Sequence, residues 1–190
     1  MLFFAPSDWE IRWSERGLVG AHRFVQRFWA TVQKLNVFAI PMQRTDTINS
    51  NNLSKNIREI RRKLYQTIEK VTITMEGTLN FNTSIASIME LLNVIKDNSP
   101  LEPTNSDERH AIREVTEGLV LLIAPMAPFI AEELWEALGN KPSVFRHRWP
   151  QYFPVFAKAE EVEIIIQING KVRDRIIVSF GLEEGEIKHK

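Results

Sequence analysis

Apolar residues recur with helical spacing through the first two thirds of the chain. Between Gly17 and Ile40 they fall at Leu18, Ala21, Val25, Phe28, Val32 and Leu35, at intervals of three and four that draw one stripe along a helix. Arg23, Arg27 and Lys34 lie about half a turn away from this stripe, on the solvent side, and Pro41 cannot continue the helix. A polar stretch from Gln43 to Asn52, rich in Asn, Thr and Ser, reads as a loop. A second helix is predicted from Leu53 to Met75, with Leu53, Ile57, Ile60, Leu64, Ile68, Val71 and Met75 on its buried face. Lys55, Arg58 and Arg62 share the opposite face, Arg61 lies toward its edge, and Gly77 is the expected terminator.

Asn80 and Asn82 offer side chains that can cap a third helix running through Ile85, Ile88, Leu92 and Ile95. After a loop holding Pro100 and Pro103, a fourth helix begins near Ser106 and buries Ile112, Val115, Leu119 and Leu122. Pro125 and Pro128 interrupt the pattern, and Pro128 suits the first turn of a fifth helix, from Phe129 to Leu138, that Gly139 ends. From Asn140 the composition changes. Pro142, Pro150 and Pro154, interleaved with Phe145, Trp149, Tyr152, Phe153 and Phe156, predict an extended linker packing its aromatics back onto the helices. Beyond Ala159 the period becomes two: runs from Val162 to Ile168 and from Lys171 to Val178 flank Asn169-Gly170, a strong hairpin signal. Glu183 to Lys190 reads as the start of a further helix. The expected fold is mainly α, an antiparallel helical bundle with a small C-terminal β-hairpin appendage.

At 190 residues, 44% hydrophobic and 25% charged, the chain has the composition of an ordinary globular protein. It contains no cysteine, which excludes disulfide frameworks, zinc knuckles and thiol nucleophiles and is compatible with the cytoplasm or an organelle matrix. The apolar N-terminus meets Asp8 and Glu10 within a few residues and has no basic n-region, so no secretory signal is expected. The closest approach to a membrane span, Gly118 to Ala131, is short and contains two prolines, so a soluble protein is expected. Net charge is zero, yet it is segregated: residues 17–76 hold ten Lys/Arg against four Asp/Glu, and residues 77–139 hold three against ten. Two readings fit this asymmetry. Acidic and basic helices attract one another within the bundle, or the basic part receives a polyanion.

No catalytic constellation emerges. There is no Gly-rich phosphate loop, and His22, His110, His147 and His189 are too scattered for a metal site. Glu132-Glu133 and Glu183-Glu184 are adjacent pairs, whose members point apart on a helix, and Ser14 and Ser54 have no nearby base. What remains is the arginine set. Exposed Arg and Lys are most often a solvated surface, but guanidinium groups also fit phosphate oxygens bidentately.

With these elements placed, the run Trp13-Ser14-Glu15-Arg16-Gly17-Leu18-Val19-Gly20-Ala21-His22-Arg23-Phe24-Val25-Gln26-Arg27-Phe28-Trp29 resembles the junction of leucyl-tRNA synthetases between the catalytic domain and the helical bundle. Lys70-Val71-Thr72, Phe81-Asn82-Thr83-Ser84-Ile85-Ala86 and Met89-Glu90-Leu91-Leu92-Asn93 are similar to the same family. Leu122-Ile123-Ala124-Pro125-Met126-Ala127-Pro128-Phe129-Ile130-Ala131-Glu132-Glu133-Leu134-Trp135 and Trp149-Pro150 also resemble valyl and isoleucyl enzymes. Gln167-Ile168-Asn169-Gly170-Lys171-Val172-Arg173-Asp174-Arg175 resembles the start of the leucyl enzyme's C-terminal domain.

The resemblance implies a division into a residual catalytic-junction segment (1–16), a helical tRNA-binding bundle (17–139), a Pro/aromatic linker (140–160) and a partial C-terminal α/β domain (161–190) with its hairpin at 162–178. It further implies a grip on tRNA-Leu by shape and phosphate contacts. Arg23 and Arg27 match basic positions toward the acceptor end, while Lys171, Arg173 and Arg175 match the hairpin and are assigned to the tRNA elbow, one face being expected from alternation. Lys55, Arg58, Arg61 and Arg62 complete the expected set. The family's two ATP-handling signatures and its editing domain are missing from this sequence. The chain is therefore expected to lack catalytic and metal-binding residues and to be inactive alone, with no cofactor of its own; ATP with Mg belongs to the full enzyme. Its expected partners are tRNA-Leu and a catalytic domain in cis or in trans, with neither membrane nor DNA. Two alternatives stay open: the equivalent region of a valyl or isoleucyl enzyme, and a protein-interaction bundle docking on a catalytic subunit through Met1 to Pro6, Trp9 and Trp13.

Overall fold

A computed structural model describes residues 15–41, 47–158, 161–168 and 171–179, with residues 15–16 and the last two spans described as backbone. The expected N-terminal docking segment, the Asn169-Gly170 turn and the helix from Glu183 lie outside the described residues. The chain divides into two compact units, 1–157 and 158–190.

The first unit is helical: α1 (Glu15–Asn36), α2 (Lys55–Gly77), α3 (Phe81–Asp97), α4 (Ser106–Ile123), α5 (Pro128–Ala137) and the single turn α6 (Pro154–Ala157), with short 3-10 turns at Ser50–Asn52 and Val144–Arg146. Two helices organise the rest. α2 packs against α3, α4 and α6, and α4 also packs against α1, α3 and α5. α4 is accordingly buried on most of its circumference, Ala111, Val120 and Ile123 joining the expected Ile112, Val115, Leu119 and Leu122. Phe28, Leu64, Ile88, Leu91, Leu92 and Leu134 are also fully enclosed, and burial of each such side chain stabilises by about 1.5–3 kcal/mol.

The α2–α4 approach is close because α4 carries Gly118 at the crossing: a Cβ placed there would lie 2.8 Å from Leu64 Cδ1. The helix starts are joined by polar bonds. Asn105 is the N-cap of α4, its Oδ1 accepting from Glu108 N at 3.0 Å. Glu108 is only 2% exposed, yet its carboxylate accepts from Thr104 N (2.7 Å), Thr104 Oγ1 (3.0 Å) and Ser54 N at the start of α2 (2.8 Å). Asp107 accepts from Asn49 N and Asn52 Nδ2, so both carboxylates saturate backbone and amide donors that a helix start leaves open.

Several expectations are corrected. α1 ends at Asn36, before Pro41 and the expected Ile40, and Phe38 N and Ala39 N close on Leu35 O. Leu18, placed on the buried stripe, is 55% exposed, and Phe24 is buried instead. Met75 is only partly buried. α2 does end at Gly77 as expected, but the positive φ, 51°, falls on Leu79, with Leu79 N donating to Thr74 O. Asn80 caps α3 without a side-chain bond.

The linker returns to α2. Trp149 Nε1 donates to Thr72 Oγ1 (2.8 Å), Gln66 Nε2 donates to Ala157 O (2.9 Å), and the rings of Phe153 and Phe156 lie against Tyr65 at centroid distances of 6.1 and 5.1 Å. In the second unit the backbone of β1 (Glu161–Ile168) pairs antiparallel with β2 (Lys171–Ser179), and the register shifts between Ile166 and Gln167.

Two measurements follow from this packing. Gly118→Val should lower stability by about 1–3 kcal/mol, the cost of overpacking a filled core, read from the urea midpoint; an unchanged midpoint would mean that α2 and α4 are not held this close. Desolvation pushes the Glu108 carboxyl upward, but the hydrogen bonds from Thr104 and Ser54 outweigh it and its pKa falls below the ordinary 4.5. Its contribution is therefore present above that ordinary value and is lost as pH falls through the folded pKa. Glu108→Gln should be less stable at neutral pH and should show a shallower loss of stability below about pH 5. Acid profiles of identical slope would count against this carboxylate.

Candidate nucleic-acid interface

Lys55, Arg58 and Arg62 occupy positions i, i+3 and i+7 of α2 and therefore share one face. Lys55 is exposed and the two arginines are half-buried. The first turn of α2 contains no acidic residue. Cations at a helix N-terminus oppose the macrodipole, at a cost of about 0.3–1 kcal/mol each. C-terminally this face closes: Gln66, Tyr65 and Thr72 are met by Ala157, Phe153, Phe156 and Trp149 of the linker.

Arg61 departs from the expected set. It is 5% exposed, its Nε donates to Glu114 Oε2 at 2.5 Å, Nη2 donates to Glu114 Oε1 at 3.3 Å, and Nη1 donates to Ser50 Oγ at 3.2 Å. The guanidinium carbon sits 4.0 Å from the Phe156 ring centroid and 5.6 Å from that of Tyr65, whose hydroxyl donates to Glu114 at 2.6 Å. Burial disfavours the charge on Arg61, but the Glu114 carboxylate outweighs it, and the pKa stays above the ordinary arginine value. Arg61 is thus a structural cation joining α2, α4 and α6, withdrawn from the outer surface.

Other charges are used in the same way. Lys63 donates to Glu90 of α3 at 2.8 Å, with Lys70 Nζ 3.9 Å from the same carboxylate. Buried Arg113 donates to Glu117, to the Leu138 carbonyl at the end of α5 and to Asn140 Oδ1. Glu90, Asp107, Glu108, Glu114, Glu117 and Glu132 are thus bonded within the bundle, whereas Lys55 and Arg62 have no ion pair among the described residues.

Arg23 is exposed on α1, and Arg27, one turn on, is half-buried with its Nη2 enclosed and unbonded. This pair and the α2 triad stand on different helices that both pack on α4. Lys171, Arg173 and Arg175 lie in the second unit; Arg173 falls outside the Cα pairing at the register shift, which interrupts the strict alternation expected from Lys171 to Arg175. Among the described residues no three His, Asp or Glu side chains could hold a metal ion, and no helix is long and apolar enough to cross a membrane.

One basic stretch escaped the sequence reading because it sat within the aromatic linker. Lys141, Arg146, His147 and Arg148 are all exposed, around an exposed Phe145. The arginine pair flanking a histidine was the signal available.

Arg61→Ala should cost about 3 kcal/mol, the lower end for breaking a buried pair because Glu114 is partly exposed, and denaturation is the measurement. A stability equal to that of the parent would return Arg61 to the surface set.

Comparison with known proteins gives the family. The family described as "Anticodon-binding domain of tRNA ligase" matches residues 58–188. The chain is similar to the leucine–tRNA ligase of Thermotoga maritima, 40% identical over 188 residues that cover 99% of this chain and 22% of the relative. It is also similar to the leucine–tRNA ligase of Fervidobacterium nodosum, 37% identical over 190 residues that cover 100% of this chain and 23% of the relative. Among solved structures it is similar to the chain in a ternary complex of Agrobacterium radiobacter K84 agnB2 LeuRS with tRNA and LeuAMS, with TM-score 0.70 and 29% identity, covering 99% of this chain and 23% of that one. The chain spans less than a quarter of the length of these relatives.

Proposed function

Since the chain belongs to the family of anticodon-binding domains of tRNA ligases, we propose that it is the tRNA-Leu-binding portion of a leucine–tRNA ligase. The observation that carries this reading is its likeness, over nearly its whole length, to leucine–tRNA ligases and to a synthetase chain solved together with tRNA. Leucylation itself, with ATP and Mg, falls to a catalytic domain supplied in cis or in trans. The place of action is the cytoplasm or an organelle matrix.

The mechanism is electrostatic positioning. A-form RNA hides its base edges in a deep major groove but presents phosphates at regular intervals, so shape and charge are what a helical scaffold can read. Lys55, Arg58 and Arg62 neutralise one stretch of backbone, and Arg23 with Arg27 approach the acceptor side. The C-terminal strands act as a hairpin appendage whose Lys171, Arg173 and Arg175 reach the elbow. Arg61 contributes by holding α2 in place, so its role is structural rather than a phosphate contact.

Reversing Lys55, Arg58 and Arg62 to Glu should weaken binding of a tRNA-Leu transcript by about tenfold or more and make the salt dependence shallower by roughly two to three, since each lost phosphate contact removes about 0.7–0.9 from the slope. Filter binding across a KCl series is the test. Affinity and slope equal to those of the parent protein would remove this face from the interface.

A further inference from the structure

Resting on that reading, we infer that the loop from Lys141 to Arg148 is a second RNA-binding site, which holds phosphates with Arg146 and Arg148 and stacks an unpaired nucleobase on Phe145. The loop follows α5, and its backbone is fixed from several sides. Glu132 of α5 accepts from the Ser143 hydroxyl and from Val144 N, the latter at 3.0 Å. Trp135 Nε1 donates to Lys141 O at 3.2 Å, and the Trp135 ring meets His147 edge-on at 4.6 Å. Arg113 ties down Asn140, and Val144 is 1% exposed in the core. Trp149 pins the far end to Thr72.

On this fixed frame the exposed side chains form an array suited to single-stranded RNA. Phe145 is 57% exposed although its neighbour Val144 is buried, so the frame turns a large ring outward where folding gains nothing from it. Lys141, Arg146, His147 and Arg148, which flank it in the sequence, are exposed as well, and neither Arg146 nor Arg148 has an ion pair among the described residues. Glu132 accepts from Ser143 and Val144, and the Arg146 charge also holds its carboxyl low without an ion pair between the two. A ring with cations on both sides matches the repeat of RNA, a base between phosphates, and every base has a π-face to stack. Because the frame is held before binding, little side-chain and loop freedom is lost on contact.

The site is separate from the α2 triad. Trp149, adjacent to Arg148, is bonded to Thr72, which lies roughly 25 Å along α2 from Lys55 at 1.5 Å per residue. Contacts that far apart should contribute additively. One tRNA spanning both would meet the bundle at two points, an arrangement that fixes orientation as well as affinity.

The test uses the full chain and a tRNA-Leu transcript, titrated across a KCl series. Arg146→Glu with Arg148→Glu should weaken binding by about tenfold and make the salt slope shallower by roughly one to two. Phe145→Ala should weaken binding by about five- to a hundredfold with the slope unchanged, the signature of stacking rather than charge, and Phe145→Trp should restore it. Thermal midpoints equal to that of the parent confirm that these exposed substitutions leave the bundle intact. If both sets bind RNA like the parent while the reversed Lys55/Arg58/Arg62 variant is weakened, the loop contacts a protein or only water and the inference falls alone. If the α2 variant also binds like the parent, that face falls as well, whereas a parent chain that does not retain the transcript at low salt would sink the tRNA-binding reading itself. A weakened arginine variant with an unaffected Phe145→Ala would overturn the stacking half.

Discussion

The Arg61–Glu114 ion pair sits where three elements meet. It lies on the α2–α4 contact, whose closeness depends on Gly118 leaving room for Leu64, and the Phe156 ring of the linker covers the guanidinium. A buried cation needs both its carboxylate and its remaining hydrogen bonds to be tolerated. Glu114 and Ser50 supply them, while Tyr65 binds the other side of the same carboxylate. The register of α2 against α4 is thereby fixed, and with it the direction in which Lys55, Arg58 and Arg62 face.

Part of the segregated charge acts as attraction between helices of the bundle. Glu90, Glu114 and Glu117 pair with Lys63, Lys70, Arg61 and Arg113, and Asp107, Glu108 and Glu132 accept from backbone and side-chain donors. The acidic segment thus serves the interior and the joints. The cations at the start of α2 oppose the helix dipole.

Helix positions were largely legible because a period of 3.6 residues marks buried faces: six of the seven apolar positions assigned to α2 are buried. The period does not say what lies over the edge of a face. Arg61 sits at such an edge, and only the return of the linker, with Phe156 and Ala157 on α2, determines that it is covered. Leu18 fails for the converse reason: it continues the stripe, but no described residue buries it. Leu79 shows that cap chemistry is less specific than periodicity: α2 stops at Gly77, yet the left-handed backbone falls two residues later. The loop at 141–148 stayed hidden because its aromatic residues read as one class, whereas Val144 and Trp149 point into the bundle and Phe145 points out.

The two bonds that return the linker to α2, Trp149 to Thr72 and Gln66 to Ala157, give the polypeptide a fixed point of departure from the helices. Whatever follows Ala157 in the chain begins from the same address on the scaffold, set by the spacing of Thr72 and Gln66 along one rigid rod. Changes in length upstream of that address would tear a docked segment loose, whereas changes just after it would alter reach alone. Such a chain can acquire, lose or resize its terminal module without renegotiating the architecture that precedes it.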